Sequence, residues 1–123
     1  MLIVYYSLTG NVRRFVEKTG RPAQEITLEK YVTEPFIIVT PTNGFGEVPP
    51  AVGKFLRING ALLRGVTASG NRNWGANYSR AADRICEKYN VPILHRFELA
   101  GTDEDVRKFN EEVTRLDAIY RTQ

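Results

Sequence analysis

The sequence predicts an α/β domain built on a doubly wound, five-stranded parallel sheet in the order 2-1-3-4-5, with helices on both faces. Three observations carry that reading. Short apolar runs alternate with stretches whose apolar residues recur every three or four positions. The clearest runs, residues 2–6 and 36–39, are apolar throughout, as strands covered on both faces should be. The connections that follow the strands are rich in Gly, Ser, Thr and Asn, whereas those that lead back from helix to strand are not.

The elements follow in order. Residues 2–6 (LIVYY) are the first strand, and Val12, Phe15 and Val16 continue at helical spacing. Residues 25–28 give a short, weak second strand, and residues 29–34 are too few for a full helix before the third, 36–39. Val48, Val52, Phe55 and Leu56 mark a second helix that tolerates Pro49 and Pro50 in its first turn. Residues 62–67 read as a fourth strand interrupted by Arg64 and Gly65. Tyr78, Ala81, Ala82, Ile85, Cys86 and Tyr89 make the cleanest helical stripe. Residues 91–99 form a fifth strand with Pro92 near its start. Thr102 is a good N-cap for the last helix, with acids at 103–105 facing the positive end of the dipole. Its apolar positions are Val106, Phe109, Val113, Leu116 and Tyr120. No linker, repeat or low-complexity stretch divides the chain, so residues 1–123 are expected to form a single domain.

Composition narrows the function classes. One Cys and one His exclude an internal disulfide framework and a Cys/His metal cluster, so no metal site is expected. A net charge of +3 is mildly basic and its cations are scattered, which does not mark a dedicated nucleic-acid binder but suits an acidic protein partner. No stretch approaches the roughly 18 apolar residues of a membrane span. The apolar N-terminus has no basic lead-in or cleavage site, so it reads as a strand, and the expected location is cytoplasmic.

In an open parallel sheet, ligands bind beyond the carboxyl ends of the strands, at the point where the strand order reverses. That places the chemistry at residues 7–12, 40–48 and 68–75. In the first loop Ser7, Leu8, Thr9, Gly10 and Asn11 lead straight into the helix at Val12. Two hydroxyls, a glycine and the N–H groups of a helix start together make an anion site. With no Lys or Arg inside it, the loop matches neither the P-loop nor G-x-G-x-x-G. In the second loop, Thr40, Pro41, Thr42, Asn43, Gly44, Phe45 and Gly46 set two glycines about an aromatic, which lets backbone approach a flat ligand. The third, Ala68, Ser69, Gly70, Asn71, Arg72, Asn73, Trp74 and Gly75, holds the sole Trp in a polar setting, where it can stack on an aromatic ligand. Each loop alone also reads as ordinary structure: a capped helix, a surface loop, a Trp folded onto the surface. Jointly they suggest a phosphorylated planar ring, for which FMN is the natural choice.

These residues also carry a resemblance. S-L-T-G-N at 7–11 resembles the phosphate loop of flavodoxins. T-x-x-G-F-G does not occur at 41–46, but N-G-F-G-E-V-P at 43–49 and A-S-G-N-R-N-W-G at 68–75 closely resemble the NrdI family. V-P-I-L-H-R-F-E-L-A-G-T at 91–102 is similar to that family as well, so the resemblance spans nearly the whole chain. These are flavodoxin-like proteins that partner class Ib ribonucleotide reductase. The resemblance implies noncovalent FMN with its phosphate on 7–12 and its ring between 40–48 and 68–75. It implies that the reduced flavin reacts with dioxygen. The product, superoxide in the favoured account or else peroxide, goes to the dimanganese small subunit, where it supports tyrosyl-radical formation. The electron donor is not identified by the resemblance. The Gly44–Phe45 peptide is the expected reactive neighbour of the flavin, able to turn its carbonyl toward N5. The ring-facing loops hold one acid, Glu47, and one base, Arg72, which favours full reduction more than acidic surroundings do.

An ordinary electron-transfer flavodoxin is the alternative, and a non-redox interaction domain on the same fold a third reading. A phosphoreceiver needs carboxylates where Ser7 and Thr40 stand, and a small tyrosine phosphatase needs a Cys in the first loop. Cys86 and His95 are expected to be structural, and Tyr5 and Tyr6 to pack rather than relay a radical.

Overall fold

The computed structural model describes residues 1–27 and 31–121. Five parallel strands make one sheet: β1 (Leu2–Tyr5), β2 (Ala23–Glu25), β3 (Phe36–Thr40), β4 (Leu63–Gly70) and β5 (Ile93–Glu98). Their order is β2-β1-β3-β4-β5, the reversal at β1/β3 that the sequence predicts. Among the described residues four α-helices cover it: α1 (Asn11–Lys18), α2 (Pro50–Asn59), α3 (Arg80–Tyr89) and α4 (Asp103–Arg121).

Alternation along the strands divides the core in two. Val4, Phe36, Ile38, Val66 and Ala68 face α2 and α3, where they meet Val52, Leu56, Ala82 and Ile85. Ile3, Ile37, Val39 and Phe97 face the other way and pack against α1 and α4. There Phe15 stacks on Phe97 with ring centroids 3.9 Å apart and meets the edge of Phe109 at 5.4 Å.

The expected interruption at Arg64 and Gly65 is a bulge. Phe36 pairs with Leu63 and Ile37 with Gly65, which leaves Arg64 without an opposite residue. Its guanidinium turns back to the carbonyls of Ala61 and Leu63 at 2.9 and 3.0 Å and stands over the Tyr120 ring. A second register step passes over Leu94, whose methyls cover Gly65 so closely that a Cβ there would lie 3.1 Å away. Past these steps β4 runs on to Gly70.

Other boundaries differ for physical reasons. β2 lies at Ala23–Glu25, not 25–28, and Leu28 is outside the described residues. The apolar signal at Ile26 marked burial, since its side chain packs on the α2/α3 half-core, while the ladder itself is formed by the more polar residues before it. Tyr78 lies before α3 instead of in its stripe, because Ser79 at φ 47 breaks the helix there. Pro50 opens α2 at its first helical position, as its missing N–H allows.

Candidate functional site

Three of the loops that leave the carboxyl ends of β1, β3 and β4 meet in a cleft of about 330 Å³. After β1, Ser7 braces a tight turn from inside: its Oγ accepts the amides of Gly10 at 3.1 Å and Arg13 at 3.2 Å. Gly10, at φ 92, is the residue from which α1 starts. Leu8, Thr9, Asn11 and Val12 line the cleft, so the positive end of α1 opens onto it. No Lys or Arg stands within residues 7–12, yet the fold lays one beside the loop. The Arg14 guanidinium donates to Asn11 Oδ1 at 2.5 Å and lies 3.0 Å from where a Cβ on Gly10 would stand. Helical spacing from Asn11 was the available signal.

After β3, Thr40 is wholly buried and turns its hydroxyl to the Pro41 carbonyl at 2.8 Å, so it supports the loop from beneath. Pro41, Thr42, Asn43 and Gly44 reach the cleft wall. Residues 43–47 close on themselves: Asn43 N donates to Glu47 O at 2.9 Å, and Asn43 O accepts from Gly46 N and Glu47 N. Gly44 and Gly46 both hold positive φ, 47 and 97, which the turn requires. Phe45, 81% exposed, projects from the tip into solvent.

After β4, the expected loop begins later, because Ala68 and Ser69 belong to the strand. Ala68 faces the core and is wholly buried. Gly70 permits close passage of the next segment, since a Cβ would lie 2.4 Å from Ser79 N. Asn71 Oδ1 accepts from Asn73 N at 2.9 Å and starts a 3-10 turn over Arg72–Asn77, kinked at Gly75. Ser69, Gly70, Asn71 and Trp74 line the cleft. Arg72 is drawn toward β5: its amide donates to Glu98 Oε2 at 2.8 Å and its guanidinium lies over Tyr78. Glu98 therefore belongs to this charge environment, which the loops alone did not reveal.

Ser7, Gly10, Thr40, Phe45, Gly46, Ala68, Asn73 and Gly75 do not form the cleft wall, whereas the other predicted residues do. Leu99, which the sequence pattern places at the end of the fifth strand, forms it too. One end of the cleft offers Thr9, Asn11 and a helix start, and another offers Trp74 and Leu99, 42% and 62% exposed. That combination fits a ligand with an anionic group and a flat apolar body.

Away from the cleft, His95 Nε2 and Asp105 Oδ1 are 2.7 Å apart. Burial pushes the Asp105 carboxyl up, but hydrogen bonds from the Thr102 amide, His95 and the Thr102 hydroxyl outweigh it and hold Asp105 below the usual range. Arg96 grips Asp83 through two bonds, 2.8 and 2.6 Å, and these bonds lower the Asp83 pKa. Cys86 is a half-buried free thiol. Among the described residues no three His, Cys, Asp or Glu side chains converge on a metal position, and no helix is long and apolar enough to cross a membrane.

Comparison with known proteins agrees with the fold. The oxidised Flavodoxin 1 of Bacillus cereus superposes with a TM-score of 0.72 over 95% of this chain and 96% of its own, at 15% identity. A Fusobacterium nucleatum flavodoxin bound to flavin mononucleotide gives 0.61 over 95% and 96%, at 17% identity. At such identities the fold alone is shared. Sequence relatives are nearer: the protein NrdI of Macrococcus caseolyticus is 54% identical over 94% of this chain and 91% of its own length. That of Bacillus licheniformis is 51% identical over 93% and 88%. The family model described as "NrdI Flavodoxin like" matches residues 3–111, and the chain belongs to that family.

Proposed function

We propose that the chain binds one FMN in this cleft and activates class Ib ribonucleotide reductase. It does so by reducing dioxygen and passing the oxidant to the dimanganese small subunit for tyrosyl-radical assembly. The observation that supports this best is the joining of a helix-start anion site and an exposed Trp in one cleft of a NrdI-family chain. Thr9, Asn11 and the first amides of α1 hold the phosphate, and Trp74 stacks on the ring. The bound flavin supplies electrons that take dioxygen to superoxide (one electron) or to hydrogen peroxide (two electrons and two protons). Turned by a rotation that glycine permits at low steric cost, the Gly44 carbonyl would accept a hydrogen bond from the protonated flavin N5. Glu47 beside Gly44 is balanced by the Arg84 guanidinium at the Gly46 carbonyl, and Arg72 is paired with Glu98 further off, so the named charges sum to zero.

The test has two steps. Purified protein is expected to be yellow and to release FMN on denaturation. Reduced protein, dioxygen and manganese-loaded small subunit are then expected to give a tyrosyl radical by electron paramagnetic resonance. A folded, colourless chain that ignores added FMN overturns the cofactor. FMN binding without radical formation favours the ordinary electron-transfer flavodoxin, whose fold the chain shares.

A further inference from the structure

The Gly46 carbonyl belongs to a buried residue in a loop that otherwise bonds to itself. A buried carbonyl needs a donor. It receives one from Arg84, thirty-eight residues on in α3, whose Nε–H donates at 2.6 Å. Two further contacts join the same loop to the same helix. The stem of Arg80 lies directly under Gly46, with Cδ 2.7 Å and Cβ 2.9 Å from where a Cβ on Gly46 would stand. The Thr42 hydroxyl accepts the Ala81 amide at 3.3 Å. Among the described residues Arg84 makes no ion pair, while Arg96 on the neighbouring strand is committed to Asp83. The guanidinium of Arg84 is thus left to this carbonyl.

We infer that Arg84 is a positioning residue: its bond to the Gly46 carbonyl clamps the base of loop 43–47 against α3 and leaves the Gly44–Phe45 tip as the part that turns. The inference rests on the FMN reading given above. Among the described residues the tip has only the loop's own bonds, and Phe45 is 81% exposed. With the base held, rotation of one peptide carries the Gly44 carbonyl to its place. With the base released, the loop spreads over more conformers. The fraction able to reach the flavin falls, and the apparent equilibrium constant of the carbonyl's contact with the reduced cofactor falls by the same factor.

Arg84→Met and Arg84→Gln separate this from a loss of charge or stem. Both remove the guanidinium, but Gln restores an N–H donor at the chain position of Nε. In FMN-free protein, the Gly46 and Glu47 amides of Arg84→Met are expected to exchange hydrogen at least tenfold faster than wild type. The β4 amides stay unchanged, and Arg84→Gln behaves as wild type. In FMN-loaded protein, Arg84→Met is expected to change the ratio of the equilibrium constants of the two one-electron reductions at least threefold, and Arg84→Gln not to. Gly46→Ala, which drives a Cβ into the Arg80 stem, should reproduce the Met result from the loop side. Unchanged loop exchange in Arg84→Met overturns the inference, as does a loosened loop with unaltered reduction steps. A wild-type chain that takes up no FMN overturns the proposed function, while the exchange comparison still decides the clamp.

Discussion

Leu99 holds φ at 54 while its side chain is 62% exposed. A left-handed conformation costs a non-glycine residue about 1–2 kcal/mol, and here no buried packing compensates for it. The turn needs the conformation: Gly101 N reaches back to Glu98 O at 2.9 Å, and Gly101 at φ 73 sits within 2.6 Å of Phe15 for any added Cβ. A strained side chain retained at the wall of a cleft points to use by the ligand. Leu99→Gly should therefore relieve strain and lose affinity together. Since glycine costs about 0.5–1 kcal/mol more to order, the net stabilisation should be at most about 1 kcal/mol. FMN affinity should fall severalfold. Urea unfolding of the FMN-free chain and a fluorescence titration check both; unchanged affinity would remove Leu99 from the site. Its role was illegible in the sequence because Leu after Phe97 and Glu98 continues a strand pattern, and nothing local marks a positive φ.

At the scale of elements, the beginning of α4 shows what makes an element legible. Thr102 Oγ1 accepts the Asp105 amide at 3.1 Å, and Asp105 Oδ2 accepts the Thr102 amide at 2.8 Å, a reciprocal cap formed by the residues that the sequence marks. Cap, first-turn acids and apolar stripe agree, so the helix start was fixed locally. β2 and the 3-10 turn at Arg72–Asn77 had no such agreement: one is defined by pairing with β1, and the other is set between its Asn71 cap and the passage of Tyr78 and Ser79 against Gly70. The cap also sets a pH dependence. Because Asp105 titrates below its unfolded value, its contribution is complete above the normal carboxylate range. It is lost as pH falls through the folded value. Asp105→Ala is expected to cost about 1–2 kcal/mol at pH 7. Unfolding measured across acidic pH should show the gap to wild type closing as the wild-type carboxylate is protonated. A gap that stays constant would mean that packing, not the charged cap, carries it.

For the whole molecule, doubly wound order was legible because the central run at 36–39 is apolar at every position, as in a strand covered on both faces, and a parallel sheet needs crossovers on both sides. The cleft was legible because strand ends and reversed order dictate its place. Its finer composition was not: Leu99 joins its wall through a turn, while Arg14 and Glu98 come beside its loops through helix phase and strand pairing. The two half-cores are closed by side chains of the helices and the sheet, with Phe15, Phe97 and Phe109 on one face and Phe36 and Phe55 on the other, and of the cleft wall Val12 reaches into one of them. The FMN-free chain is therefore expected to unfold in one cooperative step. Added FMN should stabilise it by mass action alone, about 2.7 kcal/mol at one hundred times the dissociation constant. The urea m-value should stay the same, because ligand binding then exposes no additional chain on unfolding. An m-value that rises with FMN would show instead that the strand-end loops take up part of their structure only around the ligand.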